Sequence, residues 1–595
     1  MNKINQFTAA LVFISSAISM TACTSAPSQS AANAQQDWPS FGRDLNSQRF
    51  SPMQQVNSNN VANLVQAWRA NTGVTATFQA TPIVQAGVMY LSLPYNHVVA
   101  LDAKTGQELW RYNHDRRKEW QMCCGPANRG VAVANGKVFV GTVDARLIAL
   151  NAKTGQKEWD IDVVERDILT EDQESLNKND PNSVRKITGG TGVGLAMAPV
   201  VYKGKVIIGI TGVGYGLHID NPRSDAPLGA VIGVTGRFGR PGFLAAYDEN
   251  SGKRVWQFDT IPDSGWEGQF KAMTEDGVSL NRNIAQEKAD LAKYPDAARF
   301  GGGSAWSTPA IDSQSDTLYF GTGNPSPQMN DVSRPGDNLY TVSLIALNAQ
   351  TGDLKWHYQQ VPHDLWGYDL ASPPVLFDYN VNGKMLPAVG QASKMGWFHV
   401  HNRITGELLK KSDAYVPQLN LFKKATFEGT VVYPGILGGA NWSPVSVDQA
   451  NQQVYVAAIH SPIKYTLHET PGKDGAAPIR YAASEPTNDA RWGLLSDIDL
   501  ATGKIKWQVK TAQPLVGGVL ATAGNLVFMG EGDGHFNAYD SRNGELLWQA
   551  QSPYGVNAPP ITYMVDGVQY IAVVSGGSSI FGYKQGDAVL VYKLK

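Results

Sequence analysis

The sequence predicts an all-β fold, an eight-bladed β-propeller, and three observations lead to that prediction. A short segment that ends in a small-residue turn and a tryptophan recurs along the chain. Glycine is abundant, with 60 residues, and tryptophan reaches 15. Charged residues make up 17% of the chain, below the roughly 25% that is usual for globular proteins. Many tight turns and a large buried interior would both favour this composition.

The repeated segment is clearest in two copies, Ala100 to Trp110 and Ala149 to Trp159, which read ALDAKTGQELW and ALNAKTGQKEW. Its glycine can adopt positive φ after one strand, and its tryptophan begins the next strand as a buried aromatic side chain. A weaker copy at Thr405-Gly406 ends in Lys410 instead of tryptophan. The remaining copies are Ser251-Gly252 with Trp256, Thr351-Gly352 with Trp356, Thr502-Gly503 with Trp507, and Asn543-Gly544 with Trp548.

The number of units is eight when Trp68, which has the same strand character, is counted with these copies. Repeats of roughly 40 to 50 residues with several short strands each are typical of β-propellers. Insertions at residues 165–190, 213–241 and 266–300 lengthen some units. The alternative, a parallel solenoid, would need shorter and more regular repeats. We therefore expect one propeller domain over residues 37–595.

The N-terminus is predicted to be a processing signal over residues 1–22. An apolar stretch follows Lys3 and leads through small residues to Cys23, a pattern that resembles a bacterial lipoprotein cleavage site. The alternative is ordinary secretion, with cleavage near Ala34. Residues 23–36 are predicted to form a flexible tether. We expect export to the periplasm, where a disulfide persists, and a membrane anchor through a lipid on Cys23.

Charge and cysteine usage exclude some classes of partner. The net charge of −2, with no basic face, argues against a nucleic-acid partner. No Cys-x-x-Cys-His sequence occurs, so the sequence predicts no covalently bound haem domain.

Two of the three cysteines, Cys123 and Cys124, are sequence neighbours. A disulfide between neighbours closes an eight-membered ring and contributes little by loop closure. Its use would be local, as a flat sulfur-rich surface against a planar group. The alternative is two free thiols that happen to be adjacent, and the residues alone leave both interpretations open.

Five motifs give the chain a resemblance to a known family. They are the cysteine pair followed by Asn128-Arg129-Gly130, Gly301 to Trp306 (GGGSAW), Gly321 to Pro325 (GTGNP), Arg334 to Asn338 (RPGDN), and Gly517 to Gly524 (GGVLATAG). Together with the repeats, they make the chain resemble quinoprotein alcohol dehydrogenases of the methanol and ethanol dehydrogenase family. The resemblance extends from Trp38 to about Tyr592. It implies that pyrroloquinoline quinone (PQQ) binds at the propeller axis.

The resemblance also implies which residues hold this cofactor. PQQ is a flat tricyclic ortho-quinone with three carboxylates, so it needs two stacking surfaces and polar groups at its edge. A Cys123–Cys124 disulfide would cover one face and Trp306 the other, and Arg129 would pair with a carboxylate. Packing within a blade is the alternative role for Trp306. Lys394 would lie near the quinone oxygens. The other implied contacts are Gln79, Thr211, Gly212, Asn441 and Trp442. For Trp442, as for Trp306, packing within a blade is the alternative.

The chain departs from the family pattern where the chemistry takes place. The family holds a Ca²⁺ or lanthanide ion with a Glu, an Asn and an Asp, and that Asp is also the proposed base. Asn324 is present, but the 213–241 insertion stands in place of the Glu and Gly367 in place of the Asp. Ala196 replaces a Thr that contacts the cofactor. A divalent ion held by one neutral amide would be bound weakly, because hard cations prefer charged oxygen ligands.

Asp369 is the residue that would restore the missing carboxylate. It lies two positions after Gly367, where lanthanide-using relatives carry an additional Asp, and residues two apart on an extended segment point the same way. We therefore predict Asp369 as the catalytic base and, with Asn324, as a metal ligand. Asp220 and Asp225 in the insertion are further carboxylates. The alternative role for Asp369 is a carboxylate at a turn or strand end.

The leading hypothesis is a PQQ-dependent dehydrogenase that oxidises a primary or secondary alcohol and passes electrons to an external cytochrome c or membrane quinone. Gly367 is expected to leave room for a bulkier alcohol, and Val516, often Trp in relatives, to alter the pocket. A second hypothesis is a PQQ-binding propeller lipoprotein without turnover, acting as a sensor or scaffold. A third is an assembly scaffold like the propellers of outer-membrane protein insertion, which would need neither Arg129 nor Lys394.

Overall fold

The structure is a computed structural model that describes residues 36–116, 125–164, 193–211, 241–326, 328–329, 332–470 and 479–595. The predicted signal, Cys23, the cysteine pair, Gly212, and most of the first two predicted insertions lie outside these residues. The domain boundary at residue 37 therefore stays a prediction. Within the described ranges, no helix is long and apolar enough to cross a membrane.

Besides a small three-stranded sheet, the described residues form eight sheets that each contain four antiparallel strands, one of them with a fifth, parallel strand, and this confirms the all-β fold class. We call these eight sheets blades 1 to 8. Blades 1 and 2 contain Ile83–Gln85, Val88–Ser92, Val98–Asp102 and Glu108–Tyr112, then Ala132–Ala134, Lys137–Gly141, Arg146–Asn151 and Lys157–Asp162. Blades 3 and 4 contain Val200–Tyr202, Lys205–Gly209, Phe243–Asp248 and Arg254–Asp259, then Ala310–Asp312, Thr317–Gly321, Ser343–Asn348 and Leu354–Gln359.

The second half of the chain continues the same arrangement. Blades 5 and 6 contain Val375–Val381, Lys384–Ala392, Phe398–Asn402 and Leu408–Lys411, then Ser446–Asp448, Gln453–His460, Trp492–Asp499 and Ile505–Thr511. Blade 7 contains Leu520–Thr522, Leu526–Gly530, His535–Asp540 and Leu546–Gln551, with Phe50–Ser51 added in parallel. Blade 8 contains Ile561–Val565, Val568–Ser575, Gly586–Leu594 and the early strand Leu64–Ala76.

Blade 8 joins the beginning of the propeller to its end. Leu64–Ala76 runs antiparallel to Gly586–Leu594, with Leu64 opposite Leu594 and Ala76 opposite Gly586. The predicted eighth unit around Trp68 is therefore the outer strand of this last sheet. First strands of neighbouring blades contact each other, as in blades 2 and 3 or blades 6 and 7, and so they face a common axis. The arrangement is consistent with a closed ring of eight blades.

Seven tryptophans connect successive blades. Each donates its indole N–H to a carbonyl of the next blade: Trp68 to Ala103 (3.2 Å), Trp110 to Ala152 (2.9 Å), Trp159 to Glu249 (3.1 Å), Trp256 to Ala349 (3.2 Å), Trp356 to Arg403 (3.1 Å), Trp507 to Ser541 (3.0 Å) and Trp548 to Leu64 (3.3 Å). For each of these rings except that of Trp548, the turn glycine of the next repeat lies against the ring, as Gly155 does on Trp110. The weak repeat has no tryptophan, and Gly503 faces Lys410 and Lys411 instead.

The backbone of the N-terminal segment, residues 38–51, bonds to five blades. Trp38 pairs with Val84 of blade 1. The carbonyls of Leu45, Asn46 and Gln48 accept from Ile311, Leu376 and Val447 of blades 4, 5 and 6, at 2.8, 2.8 and 2.9 Å. Phe50–Ser51 pairs with blade 7.

Arg49 lies fully buried within this segment. It donates to the carbonyls of Phe41 (2.5 Å), Val519 (3.2 Å) and Pro560 (2.6 Å). Because Val519 and Pro560 precede the first strands of blades 7 and 8, this one side chain connects both blades to the segment.

Several elements of the described residues lie outside the blades. A three-stranded sheet, which the sequence did not predict, consists of Thr430–Val432, Ile463–Thr470 and Ile479–Pro486. The predicted insertion at 266–300 contains helix α1, Ile284–Asp290, whose first turn is capped by Asn283. Short 3₁₀-helices are Val61–Asn63, Pro94–Asn96, Leu291–Lys293 and Ala297–Phe300.

Candidate active site

The predicted site residues lie in loops at one edge of several blades. Arg129, Trp306 and Trp442 precede the first strands of blades 2, 4 and 6. Asn324 and Lys394 follow the second strands of blades 4 and 5. First and second strands are antiparallel, so the start of one and the end of the other meet at the same sheet edge. Loops from non-adjacent blades can touch only near the axis, where these residues meet.

Arg129 lies between two indole rings. Its Cζ is 4.8 Å from the centre of the Trp306 ring and 5.1 Å from that of Trp442. Its Nη1 donates a long bond of 3.4 Å to the Ala196 carbonyl, and its buried Nε has no partner among the residues described. Burial lowers the pKa of Arg129 to about 9. A desolvated cation between aromatic planes is suited to bind a planar anion.

Asp369 and Lys394 form a buried ion pair next to Asn324. Lys394 Nζ lies 3.0 Å from Asp369 Oδ2 and also donates to the Gly367 carbonyl at 2.9 Å. The backbone N–H of Asn324 donates to the other carboxylate oxygen. The exposed fractions are 4% for Asp369, 3% for Lys394 and 4% for Asn324. The predicted carboxylate, ammonium and amide residues thus meet in one place, and Asp369 lies in a loop rather than in a strand.

Two hydrogen bonds connect this ion pair to the tryptophan-flanked arginine. Gly323, which faces Asp369 Oδ1, donates to the carbonyl of Ser304, two residues before Trp306. Ala440, two residues before Trp442, donates to the carbonyl of Ser393, next to Lys394. The two groups therefore belong to neighbouring walls of one site.

The loop that carries Asp369 is shaped by Asp364. The Asp364 carboxylate accepts from the backbone N–H groups of Trp366 (3.1 Å), Gly367 (3.0 Å) and Tyr368 (3.1 Å). Burial raises the pKa of Asp364 to about 6. Arg334 Nη2 donates to the Asp364 carbonyl at 2.5 Å. Sequence reasoning assigned no role to Asp364, although an Asp three residues before a glycine is a turn signal.

Gly367 does not enlarge the pocket, so the expectation of room for a bulkier alcohol at this position is wrong. Its φ is +77°, and a Cβ there would overlap Gln328 Nε2 and lie 2.8 Å from Ile436 Cδ1. The space is filled by these two side chains. Sequence reasoning missed Gln328 because its neighbour Gly367 is distant in sequence.

The remaining predicted contacts are dispersed around the same edge. Gln79 is buried and Asn441 half-buried. Thr211 pairs through its backbone with Gly194, at 2.9 and 3.2 Å. Ala196, where the family Thr is lost, contributes its carbonyl to the backbone N–H of Arg129 at 3.0 Å.

An apolar cluster completes the site. It consists of Ala371, Trp442, Ile459, Val516, Phe581 and Tyr583, with Trp306, Leu437 and Ile580 packed against it. Apart from Ile459, which lies in the second strand of blade 6, these residues come from loops of blades 4 to 8, which places the cluster near the axis. Val516, where the sequence predicted an altered pocket shape, is buried in this cluster.

The metal donors are few in the part of the chain that the structure describes. No group of three or more His, Cys, Asp and Glu side chains that could hold a metal occurs there. Asn324 and Asp369 lie side by side, but Ca²⁺ takes six to eight oxygen ligands. Asp220 and Asp225 lie outside the described residues. The two side chains therefore fit an ion only as part of a larger donor set.

Comparisons with known proteins agree with the geometry. A family model described as "PQQ: Glucose/ethanol/alcohol dehydrogenase, beta-propeller domain" matches residues 38–420 and 409–571. A quinohemoprotein alcohol dehydrogenase of Comamonas testosteroni is 35% identical over 92% of this chain and 73% of its own length. A quinoprotein ethanol dehydrogenase of Pseudomonas aeruginosa is 31% identical, with 90% and 85% covered. A europium-containing methanol dehydrogenase structure has a TM-score of 0.74 at 26% identity, with 94% and 98% covered.

Proposed function

The chain belongs to the family of PQQ-dependent quinoprotein alcohol dehydrogenases, and from that membership we propose that it oxidises a primary or secondary alcohol with bound PQQ. The observation that supports this most is the buried Arg129 cation between Trp306 and Trp442, next to the Asp369–Lys394 pair. A cofactor cradle and a candidate proton acceptor thus share one buried site.

The residues present fit the cofactor. Arg129 offers an unsatisfied Nε–H to a carboxylate, and the indole of Trp306 offers a stacking plane. Toward the described residues Lys394 donates two of its three N–H groups, and we assign the third to a quinone oxygen. A Cys123–Cys124 disulfide would cover the opposite face. Edge contacts are assigned to Gln79, Thr211, Gly212, Asn441 and Trp442.

Asp369 is the proposed base. When bound, PQQ supplies the two-electron oxidant, and a Ca²⁺ or lanthanide ion supplies a Lewis acid. Asp369 accepts the hydroxyl proton of the alcohol at its carboxylate. Lys394 Nζ and the Asn324 N–H orient that carboxylate from both oxygens. Burial of the pair keeps bulk water away from the reacting hydroxyl.

Asn324 and Asp369 are also the proposed metal ligands. They would supply an amide oxygen and carboxylate oxygens, both of which are hard donors. The rest of the ligand set would come from cofactor oxygens or from the 212–240 stretch. The Lys394 ammonium next to Asp369 opposes a second cation there, so metal binding is expected to weaken the Lys394–Asp369 pair.

The reduced cofactor must be reoxidised before a second turnover. We propose a cytochrome c or membrane quinone as the external acceptor; the printed sequence contains no Cys-x-x-Cys-His site. The protein is placed in the periplasm, as is usual in this family, and a lipid on Cys23 is proposed as its anchor. A PQQ-binding propeller without turnover is not favoured, since the curated relatives are alcohol dehydrogenases.

Reconstitution tests the proposal. Purified protein is loaded with PQQ and with Ca²⁺, a light lanthanide or no metal, and dye reduction is followed with a panel of alcohols. We expect alcohol-dependent turnover. Asp369→Asn should lower kcat by about 10²- to 10⁴-fold, because the proton acceptor is lost.

The control is Asp566→Asn, the same chemical change at an exposed carboxylate paired with Lys104. It should leave turnover unchanged. PQQ binding without turnover under all three metal conditions would support the non-catalytic alternative. No PQQ binding at all would contradict the cofactor assignment.

A further inference from the structure

Gln328 is a buried side chain whose hydrogen-bonding capacity is unused. It is fully buried, and neither its Nε2 nor its Oε1 has a hydrogen-bond partner among the residues that the structure describes. A carboxamide offers two donors and two acceptor lone pairs. Burying such a group without partners is unfavourable, because the hydrogen bonds to water are lost and not replaced.

The position of Gln328 is fixed by its surroundings. The backbone carbonyl of Gln328 accepts a hydrogen bond from Arg334 Nη2 at 3.1 Å. The same nitrogen donates to the backbone carbonyl of Asp364 at 2.5 Å. Asp364 in turn accepts from the N–H of Gly367. One buried guanidinium therefore sets Gln328 and the Asp364–Gly367 turn relative to each other.

Gln328 lies next to the turn at Gly367, which contacts the Asp369–Lys394 pair, and next to Ile436. Its amide occupies the space next to the Gly367 Cα, and the Gly367 carbonyl accepts from Lys394, the partner of Asp369. Ile436 lies against the same position, and the next residue, Leu437, packs on the apolar cluster. The amide is therefore adjacent to the turn that bonds to Lys394 and to a residue that is followed by a member of the apolar wall.

We propose that Gln328 is a specificity-determining residue that binds a second hydroxyl of the alcohol, and that the preferred substrates are diols or other polyhydroxy alcohols. This inference rests on the proposed function. An otherwise apolar wall of Ile436 and Leu437 suits the carbon chain, and the unpaired amide suits a hydroxyl, which both donates and accepts. Sites built to hydrogen-bond a substrate group discriminate strongly against analogues that lack it.

The test uses pairs of alcohols that differ only by a hydroxyl in place of a methyl group. They are ethane-1,2-diol against 1-propanol and propane-1,3-diol against 1-butanol. For the holoenzyme we expect kcat/KM to be higher for the diol in at least one pair. Gln328→Met keeps the length of the side chain and removes its hydrogen bonds. It should lower kcat/KM for that diol by about 10-fold or more, chiefly through KM, and leave the matching mono-alcohol unchanged.

A binding measurement separates this inference from the proposed function. Pinacol has two hydroxyls, and 2,3-dimethyl-2-butanol has one hydroxyl. Neither compound has an oxidisable carbinol hydrogen. We expect pinacol to raise the melting temperature of the wild type more than the mono-alcohol does, and this difference to disappear in Gln328→Met. The melting temperature of the variant without ligand should equal or exceed that of the wild type, because an unpaired amide is removed.

The outcomes are distinguishable. If the wild type oxidises alcohols but prefers the mono-alcohol in both pairs, the role of Gln328 is refuted and the dehydrogenase assignment stands. Loss of PQQ affinity in Gln328→Met with an unchanged diol preference would also refute it. If no alcohol is oxidised, the dehydrogenase assignment fails, and the pinacol difference alone decides whether Gln328 binds a hydroxyl. Gln328→Leu repeats the test if the methionine variant does not fold.

Discussion

Arg129 illustrates how a single side chain can show what a site is built to bind. It is a buried cation with aromatic rings on both sides and an Nε without a partner in the described structure. Such a group destabilises the empty protein and stabilises a complex with an anion.

Substitution of Arg129 tests this directly. Arg129→Met should weaken PQQ binding by about 10- to 100-fold, since a charge-assisted hydrogen bond contributes about 1.5–3 kcal/mol. The melting temperature of the cofactor-free protein should stay the same or rise, because a desolvated charge is removed. Titration of PQQ with fluorescence detection measures the first effect and calorimetry the second. Arg542→Met, at an exposed arginine, is the control and should change neither.

Asp497 gives a prediction for pH dependence. It is fully buried, with Oδ2 accepting from Gln453 Nε2 at 2.8 Å and Oδ1 without a partner in the described structure. Burial raises the pKa of Asp497 to about 7. The folded protein therefore binds this proton more tightly than the unfolded chain, where the pKa is 3.8. The contribution of Asp497 to the free energy of unfolding falls as pH rises from about 4 to about 7.

Asp497→Asn should therefore stabilise the protein by about 2–4 kcal/mol at pH 8 and have little effect at pH 4.5. The asparagine keeps an oxygen for Gln453 and carries no charge. Urea unfolding at the two pH values measures the difference. A change of equal size at both values would show that the buried charge is not the cause.

At the scale of elements, successive blades contact each other through a tryptophan of one repeat and a glycine of the next, and we call this contact a joint. Gly155 has a φ of +71°, and a Cβ on it would lie 2.5 Å from the Trp110 ring. Gly136 has a φ of +78° and nothing within 4 Å of a Cβ. The two glycines thus share a backbone conformation, but only Gly155 lies against a tryptophan ring.

Gly136→Ala should cost about 1–2 kcal/mol from backbone strain alone. Gly155→Ala should cost about 1–3 kcal/mol more, because the new methyl group pushes the indole off the next turn. Urea unfolding of both variants gives the difference. Equal losses in the two variants would mean that the indole contact contributes nothing to the joint.

These joints could be predicted from the sequence, whereas much of the active site could not. The turn glycine and the tryptophan belong to one repeat, so their spacing already indicates a strand, a turn and a buried ring. Even the weak copy at Lys410 marks the joint that lacks an indole. Asp369 and Lys394 were predicted from motifs. Gln328 was missed because its contact with Gly367 depends on how two loops of different blades meet.

At the scale of the whole molecule, the N-terminal segment stabilises the ring across several blades. Arg49 donates to carbonyls from the segment itself and from the loops that precede blades 7 and 8. Arg49→Met should lower the free energy of unfolding by about 3–5 kcal/mol, because three buried carbonyls lose their donor. Arg49→Lys keeps the charge but has fewer donors in a different geometry, so it should recover only part of the loss. Urea unfolding, with Arg542→Met as the surface control, measures both.

The strand Leu64–Ala76 has a consequence for the order in which the molecule folds. Its partner Gly586–Leu594 follows the strands of all the other blades in the sequence. The N-terminal segment likewise waits for the loops of blades 4 to 8. Contacts between such distant residues form slowly, because a long loop must close before they give any stabilisation. Blade 8, which contains both strands, is therefore expected to form late in folding, after the strands of the other blades are available.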